Sequence, residues 1–161
     1  MSQWQFNRDA IVAFRFVRSG FDPASGVARL VYAFDDGPEL VETVTLPGAP
    51  FALDDARAAA AMRALRLLHL VAGVSYYKAA VPATILVEDG GIDAATGALV
   101  EEVYLNGLGE FAYRNGLDLH GRVRFPVSNG VAGGDAPALG LREHALVAIG
   151  GGKDSLVSIE A

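Results

Sequence analysis

The chain has 161 residues, 52% of them hydrophobic and 20% charged, which is enough for one domain with a buried core and too apolar for a disordered segment. Its formal net charge is −6 and it carries no basic run, which argues against nucleic acid as a partner. It has no cysteine, which excludes disulfides and thiolate metal sites and fits a reducing compartment.

The first residues, MSQWQFNRDAIVAFRF, lack a basic stretch followed by an apolar one, so no signal peptide is expected. Charges interrupt the apolar stretches before the ~20 residues a membrane span needs. A soluble cytoplasmic protein is the expectation.

Residues 10–46 read as three strands and two turns. AIVAFRFVR is rich in β-formers, VARLVYAF follows, and LVETVTL closes the set. FDPASG and DDGP between them hold the Pro, Asp, Ser and Gly that tight turns use. The simplest product is an antiparallel meander. Asp54 or Asp55 then caps an alanine-rich helix over about 55–72, with Met62, Leu65, Leu68 and Val71 on one face and Gly73 as its stop.

A strand is expected over 83–88, then a turn at DGG, then a helix over about 94–114 capped by Asp93. Gly107 and Gly109 weaken the middle of that helix, kinking it or admitting another backbone. RVRFPV, residues 122–127, reads as a short strand. SNGVAGGDAPALG is the best linker, and HALVAIG after it is the short apolar strand of a parallel sheet.

The last stretch, AIGGGKDSLVS, has an apolar strand, a glycine turn and a helix start in that order. Glycines let successive backbone N–H groups turn toward one anion, and a helix N-terminus adds partial positive charge. Walker A fails, because Val147 stands where its first glycine belongs and Asp154 follows Lys153. The dinucleotide fingerprint fails at Ser155, where it needs a third glycine. The pattern resembles the PP-loop of ATP pyrophosphatases, Ser-Gly-Gly-x-Asp-Ser. Gly151, Gly152, Asp154 and Ser155 match it position by position, and Gly150 replaces the first serine. That resemblance implies cleavage of ATP between its α- and β-phosphates. Gly150, Gly151, Gly152, Lys153 and Ser155 are the phosphate-contact candidates, and Asp154 is the candidate for capping or for Mg²⁺. The plainer alternative is a tight strand-to-helix turn without a ligand.

Three longer segments, GVSYYKAAVP, VYLNGLGEFAYRNGL and VAIGGGKDSLVSIEA, resemble one family over nearly the whole chain. It is the MurL type of UDP-N-acetylmuramoyl-L-alanyl-L-glutamate epimerase. The resemblance is to the N-terminal part of that family, so the chain is expected to be a portion that is inactive alone. It implies ATP and Mg²⁺ as cofactors and a UDP-MurNAc-dipeptide as the small-molecule substrate. It also implies transfer of AMP to the terminal L-glutamate, inversion of the α-carbon, and a place in peptidoglycan synthesis. The glycine loop alone also fits another adenylating ligase or amidotransferase, or a binding module without catalysis.

The fold expected is α+β: an antiparallel β-meander, then helices and short strands, ending in the first strand, loop and helix of a PP-loop α/β domain. The module spans residues 1–127, a linker 128–140, and the start of the ATP-binding domain 141–161. Within the module, Ser75, Tyr76, Tyr77 and Lys78 form a polar-aromatic cluster. Lys78, Tyr76 and Tyr77 are candidates for proton transfer, and Ser75 for substrate binding. Their plainer reading is packing tyrosines and a solvated lysine. Asn106, Glu110 and Arg114 are further substrate-binding candidates, although Glu110 and Arg114 stand four apart and suit a surface pair. His69, His120 and His144 have no metal-ligand spacing, and His69 borders the apolar face of the first helix.

Overall fold

The computed structural model describes residues 4–128, 138–142 and 157. The meander forms as β1 (Ala13–Asp22), β2 (Val27–Phe34) and β3 (Leu40–Thr45). In the first turn, Asp22 accepts from the Ala24 amide, and Gly26 takes a φ of +72° that closes the hairpin onto Val27. Register slips between Phe16 and Arg18, a bulge that bends β1.

Helix α1 (Asp55–Ala72) is capped by Asp54, whose carboxylate accepts from the Arg57 amide at 2.8 Å. A single turn, α2 (Val74–Tyr77), follows directly. Strand β4 (Thr84–Val87) then pairs with β1 in parallel, giving a mixed sheet in the order β3-β2-β1-β4. Helices α3 (Ala94–Gly107) and α4 (Gly109–Asn115) complete the α+β fold. Asp93 caps α3 through the Thr96 amide.

Phe14, Phe16, Leu30 and Tyr32 point from one face of the sheet against Leu70, Tyr77 and Tyr104 of the helices. Full burial of each large side chain contributes about 1.5–3 kcal/mol. The packing face of α1 differs from the expected one. Leu65, His69 and Leu70 are buried and Val71 packs beside them, whereas Met62 and Leu68 are 38% and 44% exposed. At 100° per residue Leu68 is rotated away, and Met62 lies a turn before the contact begins. The helical run Asp55–Tyr77 is also long and apolar enough to cross a membrane by length and composition, contrary to the sequence expectation. Here its last turns carry Leu65, His69 and Leu70 into the core.

Gly73 is the C-cap of α1, and it is glycine for reasons of space. A Cβ there would collide with the Phe16 ring and come 2.9 Å from the Tyr104 hydroxyl. The single helix expected over 94–114 is two, broken at Leu108. Among the described residues a Cβ at Gly107 or Gly109 would meet nothing within 4 Å, so neither glycine is there to admit a neighbouring backbone. Gly116, at a φ of +62°, caps α4.

Residues 122–127 form no strand. Val123 and Phe125 are buried, but the Phe125 amide donates to the Glu101 side chain and Pro126 has no amide to give. Only an isolated bridge joins Val127 to Ile92. The expected linker lies largely outside the described residues, as does the strand expected over 144–150.

Candidate functional site

The segment 73–82 links α1 to β4, and its four candidate side chains diverge. Ser75 and Lys78 face solvent. Tyr76 is half-buried over Tyr32, and its hydroxyl donates to Glu42 of β3 at 2.7 Å. That carboxylate raises the Tyr76 pKa, since it favours the protonated phenol. Tyr77 is fully buried and donates to the Pro82 carbonyl at 3.1 Å. Burial pushes its pKa up to about 12, against the pull of the nearby Arg122 guanidinium. At neutral pH, Tyr77 is therefore a hydrogen-bond donor.

Asn106 sits at the end of α3 and donates to Glu102 through both its carbonyl and its carboxylate. Glu110 and Arg114 lie across the break on α4 and pair at 2.9 Å, both mostly exposed. The break at Leu108 separates Asn106 from the other two.

Three further buried polar side chains belong to residues outside those candidates. Tyr32 and Tyr104 donate to the carbonyls of His69 and Leu70. His69 Nε2 lies 3.0 Å from the Val31 carbonyl. A carbonyl only accepts, so the ring proton sits on Nε2. Burial lowers the His69 pKa, outweighing the Val31 hydrogen bond that would raise it. Tyr32 and His69 tie α1 to the sheet and Tyr104 ties α3 to α1, and each donor has its acceptor.

A cleft of about 400 Å³ opens where three segments meet. A 3-10 turn (Arg8–Ala10), started by the Asn7 side chain, brings Arg8 and Asp9 to it. The turn before β4 supplies Val81 and Pro82, both buried. A turn with its Gly121 at a φ of +79° supplies Arg122. Arg8 and Arg122 are exposed and make no ion pair among the described residues. Val81 adopts a φ of +52°, a costly conformation for a β-branched side chain. Sequence reasoning missed both arginines, because only the fold brings their distant segments together. A second groove, about 480 Å³, lies beside the β1–β2 turn, where Arg18 is already paired with Glu39 at 2.5 Å.

Gly150, Gly151, Gly152, Lys153, Asp154 and Ser155 lie outside the described residues. Among the described residues no group of three or more His, Asp or Glu side chains is placed to hold a metal ion.

The chain matches the family model of the MurL N-terminal domain over residues 5–161. Three curated relatives carry the name UDP-N-acetyl-alpha-D-muramoyl-L-alanyl-L-glutamate epimerase. The protein from Xanthomonas oryzae pv. oryzae is 68% identical over 97% of this chain and 34% of its own length. The Salinispora tropica protein is 41% identical over 92% of this chain and 33% of its own length. The Micromonospora sp. protein is 43% identical over 92% of this chain and 34% of its own. The chain thus spans about a third of the length of these relatives. No solved structure matches it.

Proposed function

The chain belongs to the MurL N-terminal domain family, and from that premise we propose that its full-length protein inverts the terminal L-glutamate of UDP-MurNAc-L-Ala-L-Glu in an ATP-dependent reaction. The observation that carries this reading is the 68% identity, over 97% of the chain, to a protein named for that epimerisation. The product would be a peptidoglycan precursor made in the cytoplasm.

An α-proton beside a carboxylate is very weakly acidic, because its removal puts negative charge next to negative charge. In the proposed route a carboxylate oxygen attacks the α-phosphorus of ATP and pyrophosphate leaves. The resulting acyl-adenylate withdraws electrons from the α-carbon. A base removes the proton, an acid returns one on the opposite face, and water cleaves the mixed anhydride to release AMP. The amides of Gly150, Gly151 and Gly152 would hold the departing pyrophosphate, with Lys153 adding charge and Ser155 a hydroxyl. Mg²⁺, with Asp154 as its candidate protein ligand, would offset phosphate charge.

Solvent deuterium tests the central step. In D₂O, the full-length protein should place deuterium on the glutamyl α-carbon of the D-product, and only with ATP present. A new bond from the glutamyl carboxyl to nitrogen or sulfur, without α-deuterium, would replace this reading with a ligase or amidotransferase.

A further inference from the structure

We infer that the cleft between Arg8 and Arg122 binds the uridine diphosphate end of the substrate. The identity of the nucleotide rests on the epimerase reading; the anionic character of the ligand rests on the cleft. Two guanidiniums, from opposite ends of the described module, line one concavity, and among the described residues no carboxylate is paired to either. Guanidinium is a planar fork of donors that matches phosphate oxygens, and two of them suit two adjacent phosphates.

The rest of the lining narrows the ligand further. Ile11, Val81, Pro82 and Leu117 give an apolar surface, which suits the face of a base or sugar ring. Asp9 lines the same cleft. A carboxylate there opposes a bare anion but accepts from hydroxyl or N–H donors. A ligand with phosphates at one end and donors at the other satisfies both, as uridine diphosphate does and inorganic phosphate does not. At about 400 Å³ the cleft is within the range of small-molecule sites.

The floor is held rigidly. Val81 keeps its φ of +52° because its amide donates to the Tyr77 carbonyl at 2.9 Å, while the Tyr77 hydroxyl donates to the Pro82 carbonyl at 3.1 Å. Strain fixed by surrounding bonds is typical of positions set for a ligand. On this account Tyr77 is a positioning residue that supports the floor, and it does not touch the reacting atoms.

The test uses calorimetry on the full-length protein, with UDP and with ADP as separate probes. Wild type, Arg8→Gln, Arg122→Gln and Arg122→Lys are compared with Arg63→Gln, an exposed α1 position away from the cleft. The expected result is a rise of about tenfold or more in the UDP Kd for each Gln variant, the size set by losing one charge-assisted pair. Arg122→Lys should fall between, and Arg63→Gln should match wild type. ADP affinity should hold throughout. Since all these arginines are exposed, thermal melting should confirm that each variant folds. Unchanged UDP affinity in folded Arg8→Gln and Arg122→Gln proteins overturns the inference. So does a loss of ADP affinity in place of UDP affinity, or a wild type that binds no UDP. A protein that epimerises while its cleft variants keep UDP affinity refutes the cleft alone. One that binds UDP through the cleft without epimerising refutes the epimerase reading and leaves the cleft standing.

Discussion

Tyr32 and His69 each send a hydrogen bond across the contact between sheet and helix. The Tyr32 hydroxyl donates to the His69 carbonyl at 3.0 Å, and the His69 ring donates to the carbonyl of Val31, the neighbour of Tyr32, at 3.0 Å. Their rings lie 4.6 Å apart. Helix α1 is thereby fixed against β2 by two buried polar contacts within an aromatic core, which makes the contact specific in position as well as apolar.

That contact sets a pH dependence. The unfolded ring takes up a proton near its ordinary pKa of 6.5, and the buried ring does so only at lower pH. Between those two values the unfolded state holds more protons, so stability falls as pH drops through that window and is intact above it. Urea midpoints measured from pH 8 down to pH 4 should decline below about 6.5. The decline should be shallower in His69→Gln, which is less stable overall. An equal pH slope in the variant would remove His69 as the cause.

Two glycines should respond oppositely to alanine. Gly73→Ala drives a methyl into Phe16 and Tyr104 and should cost about 1–3 kcal/mol by overpacking. Gly107→Ala meets open space at the end of α3 and should be neutral or stabilising by up to about 1 kcal/mol. Denaturant titration of both variants distinguishes a glycine kept for space from one that marks a helix break.

Tyr104→Phe removes a buried hydroxyl that donates to the Leu70 carbonyl at 2.9 Å. The expected loss is about 1 kcal/mol, the usual net value of one such bond. Turnover by the full-length protein should be little changed once the variant is folded. A large fall in kcat at unchanged stability would instead give Tyr104 a chemical role.

Ser155→Ala in the full-length protein should lower AMP release by on the order of 100-fold, the scale of losing one hydrogen-bond donor to developing charge. Its melting temperature should stay near wild type. Unaltered AMP release would return the glycine turn to a structural element without a ligand.

Much of this fold is legible locally. The turn residues 22–26, the Asp54 and Asp93 caps and the strand-forming runs each act over a few positions, and the meander follows from them. What sequence reasoning misses depends on distant partners. The parallel pairing of β4 with β1 joins residues about 70 positions apart, such as Phe14 and Ile85, and no local pattern announces it. Periodicity places Leu65 correctly on α1, but only the position of the sheet decides that His69 is buried and Leu68 exposed. The segment 122–127 has strand residues, yet the Arg122 and Val123 amides turn back to the Leu119 carbonyl and the Phe125 amide donates to the Glu101 side chain, partners that no local pattern announces. The candidate site divides the same way. The segment 73–82 stands out in sequence, whereas Arg8 and Arg122 are unremarkable until the chain folds.

The most direct measurement follows the stereochemistry of the terminal glutamate. The full-length protein is incubated with UDP-MurNAc-L-Ala-L-Glu, Mg²⁺ and ATP; the product is hydrolysed and its glutamate enantiomers are separated, with AMP assayed alongside. The expected result is D-glutamate that accumulates only with ATP, accompanied by AMP. Glutamate that stays wholly in the L-form, with or without AMP, would contradict the epimerase account.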